Sequence, residues 1–341
     1  FRTLKPEKTH SLEFGFDGTF FNNRLDLSFT YYKTNTKNQY FEVTLPWESG
    51  YKSQFVNAGN VQNQGFELTA GWFQDFGNEF TWSTDLNLSY NDNKIVKTFK
   101  DEQGKSSKLE QKIAGGNIVV RYDEGGSYGD MYALDFRRND DGSIYLSSNG
   151  APQLSNNSYV YLGNMNSKFQ LGWGNTISWK DLSLYFLVSG RIGGKVISLT
   201  EAYLDYQGVS KRVGDARLAA EANPDLQWNG KPAMVMPDGN LAPIEEYYKA
   251  VGGNMFGSQY VYDATNFRLA ELSLGYSFHN LFGGVISNLS LSVVGRNLFF
   301  IYKDAPVDPD IALSTKNGLG AFDIFNMPAT RSVGVNLKID F

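Results

Sequence analysis

The chain has 341 residues with 31 basic and 36 acidic side chains, a formal charge of −5, two histidines and no cysteine. That balance gives no basic footprint for nucleic acid, and the lack of cysteine excludes disulfides, thiolate zinc sites and cysteine nucleophiles. No run approaches the ~18 consecutive apolar residues of a transmembrane helix, while a mean hydropathy of −0.36, 15% aromatics, 35 glycines and 20 tyrosines suit strands and tight turns.

Taken in order, the chain reads as a series of hairpins. Residues 10–18 alternate, with Leu12, Phe14 and Phe16 set against Ser11, Glu13, Gly15 and Asp17. A tight connection at Phe21-Asn22-Asn23 leads into 24–32, where Leu25, Leu27, Phe29 and Tyr31 share a face. A longer polar stretch contains Pro46-Trp47-Glu48-Ser49-Gly50. Residues 65–73 place Phe66, Leu68, Ala70 and Trp72 outward, and after a short turn 80–91 bring Phe80, Trp82, Leu86, Leu88 and Tyr90 into phase. Residues 92–166 form a long insertion, with Asn139-Asp140-Asp141-Gly142 as a hairpin tip. Strands resume at 168–179 and, after Lys180-Asp181, at 182–191. A second insertion, 192–261, holds three helical passages: 201–205, 213–222 closed by Asn223-Pro224, and 244–251 before Gly252-Gly253. Residues 267–278 and 289–301 make another hairpin across Gly283-Gly284. A last loop, 302–329, precedes 330–341, where Val333, Val335, Leu337, Ile339 and Phe341 alternate without a slip.

The connections alternate short and long, the pattern of an outer-membrane barrel with tight turns at one rim and large loops at the other. Aromatics gather near the short turns (Phe20, Phe21, Trp72, Phe73, Phe76, Phe80, Trp82, Trp179) and near the long loops (Tyr31, Tyr32, Tyr90, Phe299, Phe300, Tyr302), as girdles would. Aromatics are also good strand formers, but segregation of loop length favours the membrane over a soluble β-domain. The expected fold is therefore all-β, a transmembrane antiparallel barrel of about nine strands in a single domain. Its long extracellular loops would be 92–166, 192–261 and 302–329. The first strand descends into a short turn, so strand parity predicts at least one strand before Phe1 and a chain that is the later part of a longer polypeptide.

Particular stretches resemble a known family. Leu4-Lys5-Pro6-Glu7-Lys8-Thr9, Phe20-Phe21-Asn22-Asn23-Arg24-Leu25 and Asn57-Ala58-Gly59-Asn60-Val61-Gln62-Asn63-Gln64-Gly65-Phe66-Glu67-Leu68 are similar to segments of the SusC/RagA-type TonB-dependent transporters of Bacteroidota. So are Leu162-Gly163-Asn164, Gly190-Arg191-Ile192-Gly193-Gly194, Tyr262-Asp263-Ala264-Thr265-Asn266-Phe267-Arg268-Leu269, Gly295-Arg296-Asn297-Leu298-Phe299 and the terminal Phe341. The resemblance implies a plugged barrel of about 22 strands, of which these would be the last, with the plug and the TonB-contacting segment lying elsewhere. It implies active import of an oligosaccharide or peptide across the outer membrane of a Gram-negative bacterium. A SusD-like surface lipoprotein and the TonB complex would be partners, and transporter–lipoprotein pairs would dimerise. Phe341 resembles the signal read by the barrel-assembly machinery. The alternative is a non-transporting barrel that anchors a surface complex or acts as an adhesin.

No catalytic set is visible, and no enzyme, cofactor or metal site is expected. His10 and His279 fall near opposite ends of the predicted sheet, out of reach of one another. Asp304, Asp308 and Asp310 have calcium-ligand chemistry but lack the spacing, glycine and final glutamate of an EF-hand, so loop packing is the expectation. If the alternation holds, Glu13, Asp17, Asp26, Glu67, Asp85, Arg191, Glu271, Arg296, Lys338 and Asp340 project to a hydrated lumen. Substrate contact is expected from exposed loop aromatics, Trp47, Tyr51, Tyr203, Tyr206, Trp228, Tyr247 and Tyr248, because ring faces stack on sugars and peptide side chains.

Overall fold

The computed structural model describes residues 4–44, 50–51, 53–98, 109–310 and 319–341. Nine long strands form one antiparallel sheet, each paired with the strand next to it in this set. They are β1 (Lys8–Phe20), β2 (Leu25–Thr44), β3 (Ser53–Asp75), β4 (Phe80–Lys97), β5 (Phe169–Trp179), β6 (Leu182–Ile192), β7 (Asn266–Leu281), β8 (Ile286–Lys303) and β9 (Ser332–Asp340). All four short connections lie at one end of the sheet, and the long ones lie at the other.

Register fixes the two faces. Phe14, Tyr31, Phe66, Tyr90 and Phe169 stand opposite one another across β1 to β5. Aromatic rings run across these strands in near-continuous contact: Phe16 to Phe29 and Phe29 to Phe66 at 6.2 Å, Phe66 to Tyr90 at 5.6 Å, and Tyr90 to Phe169 at 4.7 Å. The same face carries Leu274, Tyr276 and Phe278 on β7 and Val333, Val335 and Leu337 on β9, all exposed. Large apolar side chains on one exposed face are what hydrocarbon, not water, accommodates.

Several strands outrun their predicted limits. β2 continues 12 residues past the expected end at Tyr32, since 44 − 32 = 12, and β3 begins 12 residues before Gly65, the first residue of its alternating end, since 65 − 53 = 12. Past Tyr31 the outward positions of β2 become Lys33, Asn35 and Lys37, so the apolar alternation stops while the hydrogen-bond ladder continues. Tyr32 and Phe300, expected in the aromatic girdle, sit on the polar face instead. Tyr32 donates to Asn91 Oδ1 at 3.0 Å, and Phe300 lies under the Arg268 guanidinium at 4.3 Å.

The sheet is one layer, so its own interior is small; the buried core sits in the long connections. The first long connection forms a four-stranded sheet of Glu110–Ile113, Ile118–Arg121, Asp130–Phe136 and Leu154–Asn164. Residues 139–142 make a hairpin tip within it, flanked by the Arg138–Ile144 bridge. The second carries α1 (Leu199–Tyr206), α2 (Lys211–Ala222) and α3 (Ile244–Gly253). Ser198 and Ser210 cap α1 and α2 by accepting from Glu201 N and Val213 N, which satisfies otherwise unpaired first-turn amides. Phe322–Asp323 from the last connection pairs in parallel with Lys195–Ser198. Ile118, Val120, Met131, Ile197, Val251, Phe256, Tyr260 and Phe322 are fully buried where these pieces meet.

Gly65 exposes how closely the wall is fitted. A Cβ there would lie 2.0 Å from the Tyr90 carbonyl oxygen and 2.8 Å from the Tyr32 hydroxyl. Gly65→Ala in the intact protein is therefore expected to destabilise the barrel by roughly 1–3 kcal/mol, read as a lower temperature for loss of the folded band in unheated gels. Gly172→Ala, whose Cβ meets only Asn87 Cβ at 3.9 Å, should leave that temperature unchanged.

Candidate functional site

The face opposite the aromatic rings is polar. Glu67 stands opposite Thr30 and Ser89, Asp85 opposite Gly71 and Gly174, and Arg191 opposite Gln170 and Asn266. Glu271 stands opposite Arg296 and accepts from its Nε at 3.1 Å; Lys338 stands opposite Ser290 and lies 3.4 Å from Asp340. Burial in hydrocarbon would strip these charges of water at a cost of several kcal/mol each. All six share the face that avoids it.

The densest charge arrangement on this face centres on Arg268. Irregularities in the β7–β8 register flank it, between Phe267 and Arg268 and between Leu269 and Glu271, and such bulges re-aim a side chain. Arg268 Nη2 donates to Asp308 Oδ1 at 2.8 Å and to Asp310 Oδ2 at 3.3 Å, while Arg191 Nη1 lies 3.3 Å from Asp310 Oδ1. Asn266 Nδ2 donates to Asp310 at 3.2 Å, and the Ala329 amide to Asp308 at 3.3 Å. Two guanidinium groups and two carboxylates thus compensate one another, and the pair Arg268–Asp308 is buried. The network fastens both ends of the last connection to the wall. Asp308 and Asp310 are held by arginine; Asp304 accepts from the Asp263 amide at 3.2 Å.

Grooves open on both sides of this joint. One of about 480 Å³ runs along β3 to β6 past Glu67, Asn87, Gln170, Arg191 and Asp310. The other, about 730 Å³, lies beneath the last connection between Thr200, Arg268, Phe300, Asp308 and Phe325. Charged and amide groups line the first, and aromatic faces add to the second, which suits a hydrated, hydrogen-bonding ligand. In the sequence Arg268 stands out only as part of the family-like stretch 262–269. Its signal was a lone cation at a strand position, two residues after Asn266 on the same face.

Above the wall, the loop aromatics divide. Trp47 falls outside the described residues. Tyr51 is exposed; Tyr203 and Tyr206 on α1 are each about half exposed, Tyr203 standing edge-on to Phe325 at 5.4 Å. Trp228 is partly buried beside Gly150, where an added Cβ would lie 3.1 Å from its ring. Tyr247 and Tyr248 correct the expectation of exposure: they retain only 4% and 7% of their accessible surface. On α3 they occupy the stripe Ile244, Tyr247, Tyr248, Val251, spaced i, i+3, i+4, i+7, which turns inward. Tyr247 stacks on Phe136 at 6.3 Å and meets Tyr248 edge-on at 5.2 Å. That periodicity was visible in the sequence.

Asp205 pins the helices. It accepts from Arg212 and, at 2.9 Å, from the Tyr260 hydroxyl, and the Arg212 guanidinium lies 5.0 Å from the Tyr260 ring centroid. Burial opposes the charge on Arg212, but the hydrogen bond and charge of Asp205 outweigh it and raise the pKa. The Tyr260 hydroxyl is raised too, by burial first and then by Asp205. Both remain protonated at any physiological pH. His279 lies 3.1 Å from Asp181 at the short-turn end, and His10 pairs with Asn35 near the other.

The comparisons with known proteins agree with this geometry. The family model for the TonB dependent receptor-like β-barrel matches residues 2–189. TonB-dependent receptor P3 of Formosa agariphila is 26% identical over 366 residues, covering 98% of this chain and 34% of the relative. TonB-dependent receptor P26 of the same organism is 24% identical over 367 residues, covering 99% and 35%. The RagAB peptide transporter superposes with a TM-score of 0.71 at 19% identity, over 98% of this chain and 35% of that one. The RagAB peptide importer in its open-open state gives 0.70 at 20% identity, over 99% and 35%. These structural likenesses are likenesses of fold. The chain spans about a third of the length of the curated relatives it matches.

Two outcomes test the joints in the intact protein. Arg268→Met leaves Asp308 buried against no cation and is expected to cost about 3–5 kcal/mol, seen as faster hydrogen exchange across residues 304–310 and 319–331. Asp238 supplies a pH test. Its carboxylate accepts from the Ile144 amide at 2.7 Å, tying the hairpin tip to the second connection. Burial raises its pKa, but the hydrogen bonds from Ile144 and Asn240 prevail and hold it below the usual 3.8. A depressed folded-state pKa stabilises above 3.8 and is lost as pH falls below it. Hydrogen exchange over 137–153 should therefore accelerate in acid relative to the rest of the protein, and Asp238→Asn should abolish that extra acceleration.

Proposed function

The chain belongs to the TonB-dependent receptor-like β-barrel family and is an outer-membrane protein, and from that premise we propose that it forms part of the wall and surface canopy of an active importer. The observation that carries the reading is the division of one sheet into an apolar aromatic face and a charged one. Lipid takes the first face, and a hydrated lumen takes the second, where Glu67, Asp85, Arg191, Glu271, Arg296 and Lys338 contact a plug or passing solute. The short turns then face the periplasm, and 92–166, 192–261 and 302–329 are the extracellular side. Energy comes from the TonB complex, acting on parts of the protein outside this chain.

The solute is an oligosaccharide or a peptide. RagAB, whose fold this chain shares, is a peptide transporter, and the amide- and carboxylate-lined groove beside Arg191 suits either ligand. Trp47, Tyr51, Tyr203, Tyr206 and Trp228 remain the proposed aromatic contacts from the loops. A SusD-like lipoprotein caps the extracellular side, and transporter–lipoprotein pairs associate as dimers. Phe341, 87% exposed at the end of the last strand, serves as the assembly signal.

Uptake in cells carrying or lacking the gene tests the reading. Labelled oligosaccharide and peptide mixtures should accumulate only in cells that carry it, and a protonophore or loss of TonB should stop accumulation. Equal accumulation with and without the gene would sink the importer and leave an anchor or adhesin.

A further inference from the structure

We propose that the membrane-facing side of the wall carries a fixed site for one phospholipid acyl chain, in a recess between Trp72 and Trp173. The recess measures about 360 Å³ and is lined by Leu25, Ala70, Trp72, Thr84, Leu86 and Trp173 among others. Ala70 is the small residue of its row: Leu27 and Leu86 stand opposite it, and Trp173 stands opposite Leu86. A methyl group flanked by leucines and indoles leaves a depression where its neighbours project. The indole walls are braced. Trp173 donates its Nε1–H to Thr84 Oγ1 at 2.9 Å and meets Phe186 edge-on at 5.8 Å; Trp72 leans on Phe21 at 6.0 Å.

The chemistry of the lining selects the occupant. Thr84 contributes the one side-chain hydroxyl, and its proton and one of its lone pairs are engaged: it accepts from Trp173 and donates to the Gly174 carbonyl at 3.2 Å. A buried water needs about 2–4 polar partners, and the side chains of this lining offer one remaining lone pair, on Thr84. The recess has more than ten times the ~30 Å³ share of one water, so leaving it empty would forfeit many dispersion contacts. It lies on the face of an outer-membrane barrel that meets the bilayer, so hydrocarbon is what reaches it. Braced walls bind such a chain at lower entropic cost than a mobile surface does.

Depth names the lipid. Trp72 is three residues from the short-turn end of β3, since 75 − 72 = 3, and Trp173 six from that of β5, since 179 − 173 = 6. On a tilted strand three residues span about 7 Å and six about 15 Å along the barrel axis, against an apolar band about 25 Å tall. The recess therefore runs from Trp72, inside the leaflet next to the short turns, to Trp173 near the midplane. The assignment rests on the reading above that those turns are periplasmic; that leaflet is then the phospholipid one.

The intact transporter, reconstituted with phosphatidylethanolamine bearing a diazirine midway along one acyl chain, provides the test. After irradiation, peptides holding Ala70, Trp72 and Trp173 should carry several-fold more adduct than those holding Val333, Val335 and Leu337, which lie on the same apolar face of β9. Ala70→Phe, which fills the floor of the recess, should reduce the excess to the β9 level without changing β9 itself or the folded band in unheated gels. Even labelling of the whole face, or an excess that survives Ala70→Phe, overturns the site. Absence of adducts from β9 and recess alike would instead defeat the lipid-facing assignment. An excess seen only with a probe of lipid A type would reverse the orientation of the turns and overturn the choice of lipid.

Discussion

Hydrocarbon offers no hydrogen bond, and every other property of this wall follows from that. A strand can lie in lipid only if its amides and carbonyls are paired with neighbours. Among the described residues the nine-strand meander does this for β2 to β8, each bonded on both sides, while β1 and β9 are bonded on one side only. Once the ladder is obligatory, side chains alternate between two solvents. The aromatic rings linking Phe16 to Phe169 and the charges from Glu67 to Lys338 are consequences of the same pleat. Glycine then becomes structural: at Gly65 a Cβ would strike the adjacent strand's carbonyl, so a close backbone approach is available only without one.

Beyond the apolar band the solvent changes and the construction changes with it. The connections stand in water, where burial of apolar surface is favourable again, and they fold around a core of Ile118, Met131, Ile197, Val251, Phe256 and Phe322. Capped helices and short sheets serve there for the same reasons as in soluble domains. The upper parts of β2 and β3 belong to both regimes, hydrogen-bonded like the wall yet polar on their outward positions. Asn93 joins the two, accepting from the Tyr128 amide at 2.7 Å and donating to Asn63 at 2.8 Å.

What the sequence disclosed tracks which interactions are local. Period-two alternation located all nine strands within the lipid band, because there each side chain reports its solvent. The strand extensions past Tyr31 were hidden, since Lys33, Asn35 and Lys37 carry no such contrast. The helices were legible from their closing signals, Asn223-Pro224 and Gly252-Gly253; the stripe Ile244, Tyr247, Tyr248, Val251, which turns both tyrosines inward, went unused. Features assembled from distant strands leave no trace of their partners. Arg268 meets Asp308 at a separation of 40 residues, and Trp173 reaches Thr84 at 89.

The position of the Arg268 network is explained by the meeting of these two regimes. At the top of β7 and β8 the wall leaves its apolar surroundings, but the connection above has not yet entered the loop core. Ala305 and Pro309 are the buried apolar residues of 304–310, so packing alone holds little of this segment in place. Charged hydrogen bonds are the remaining option, and they are directional enough to fix a loop on a bulged strand. Compensation is required, since a lone buried guanidinium would cost more than it returns. Arg191 and Arg268 against Asp308 and Asp310 meet that requirement, with Phe300 beneath the Arg268 guanidinium to replace its lost water. The two grooves open beside this joint, where the connection is tied to the wall at a few charged points.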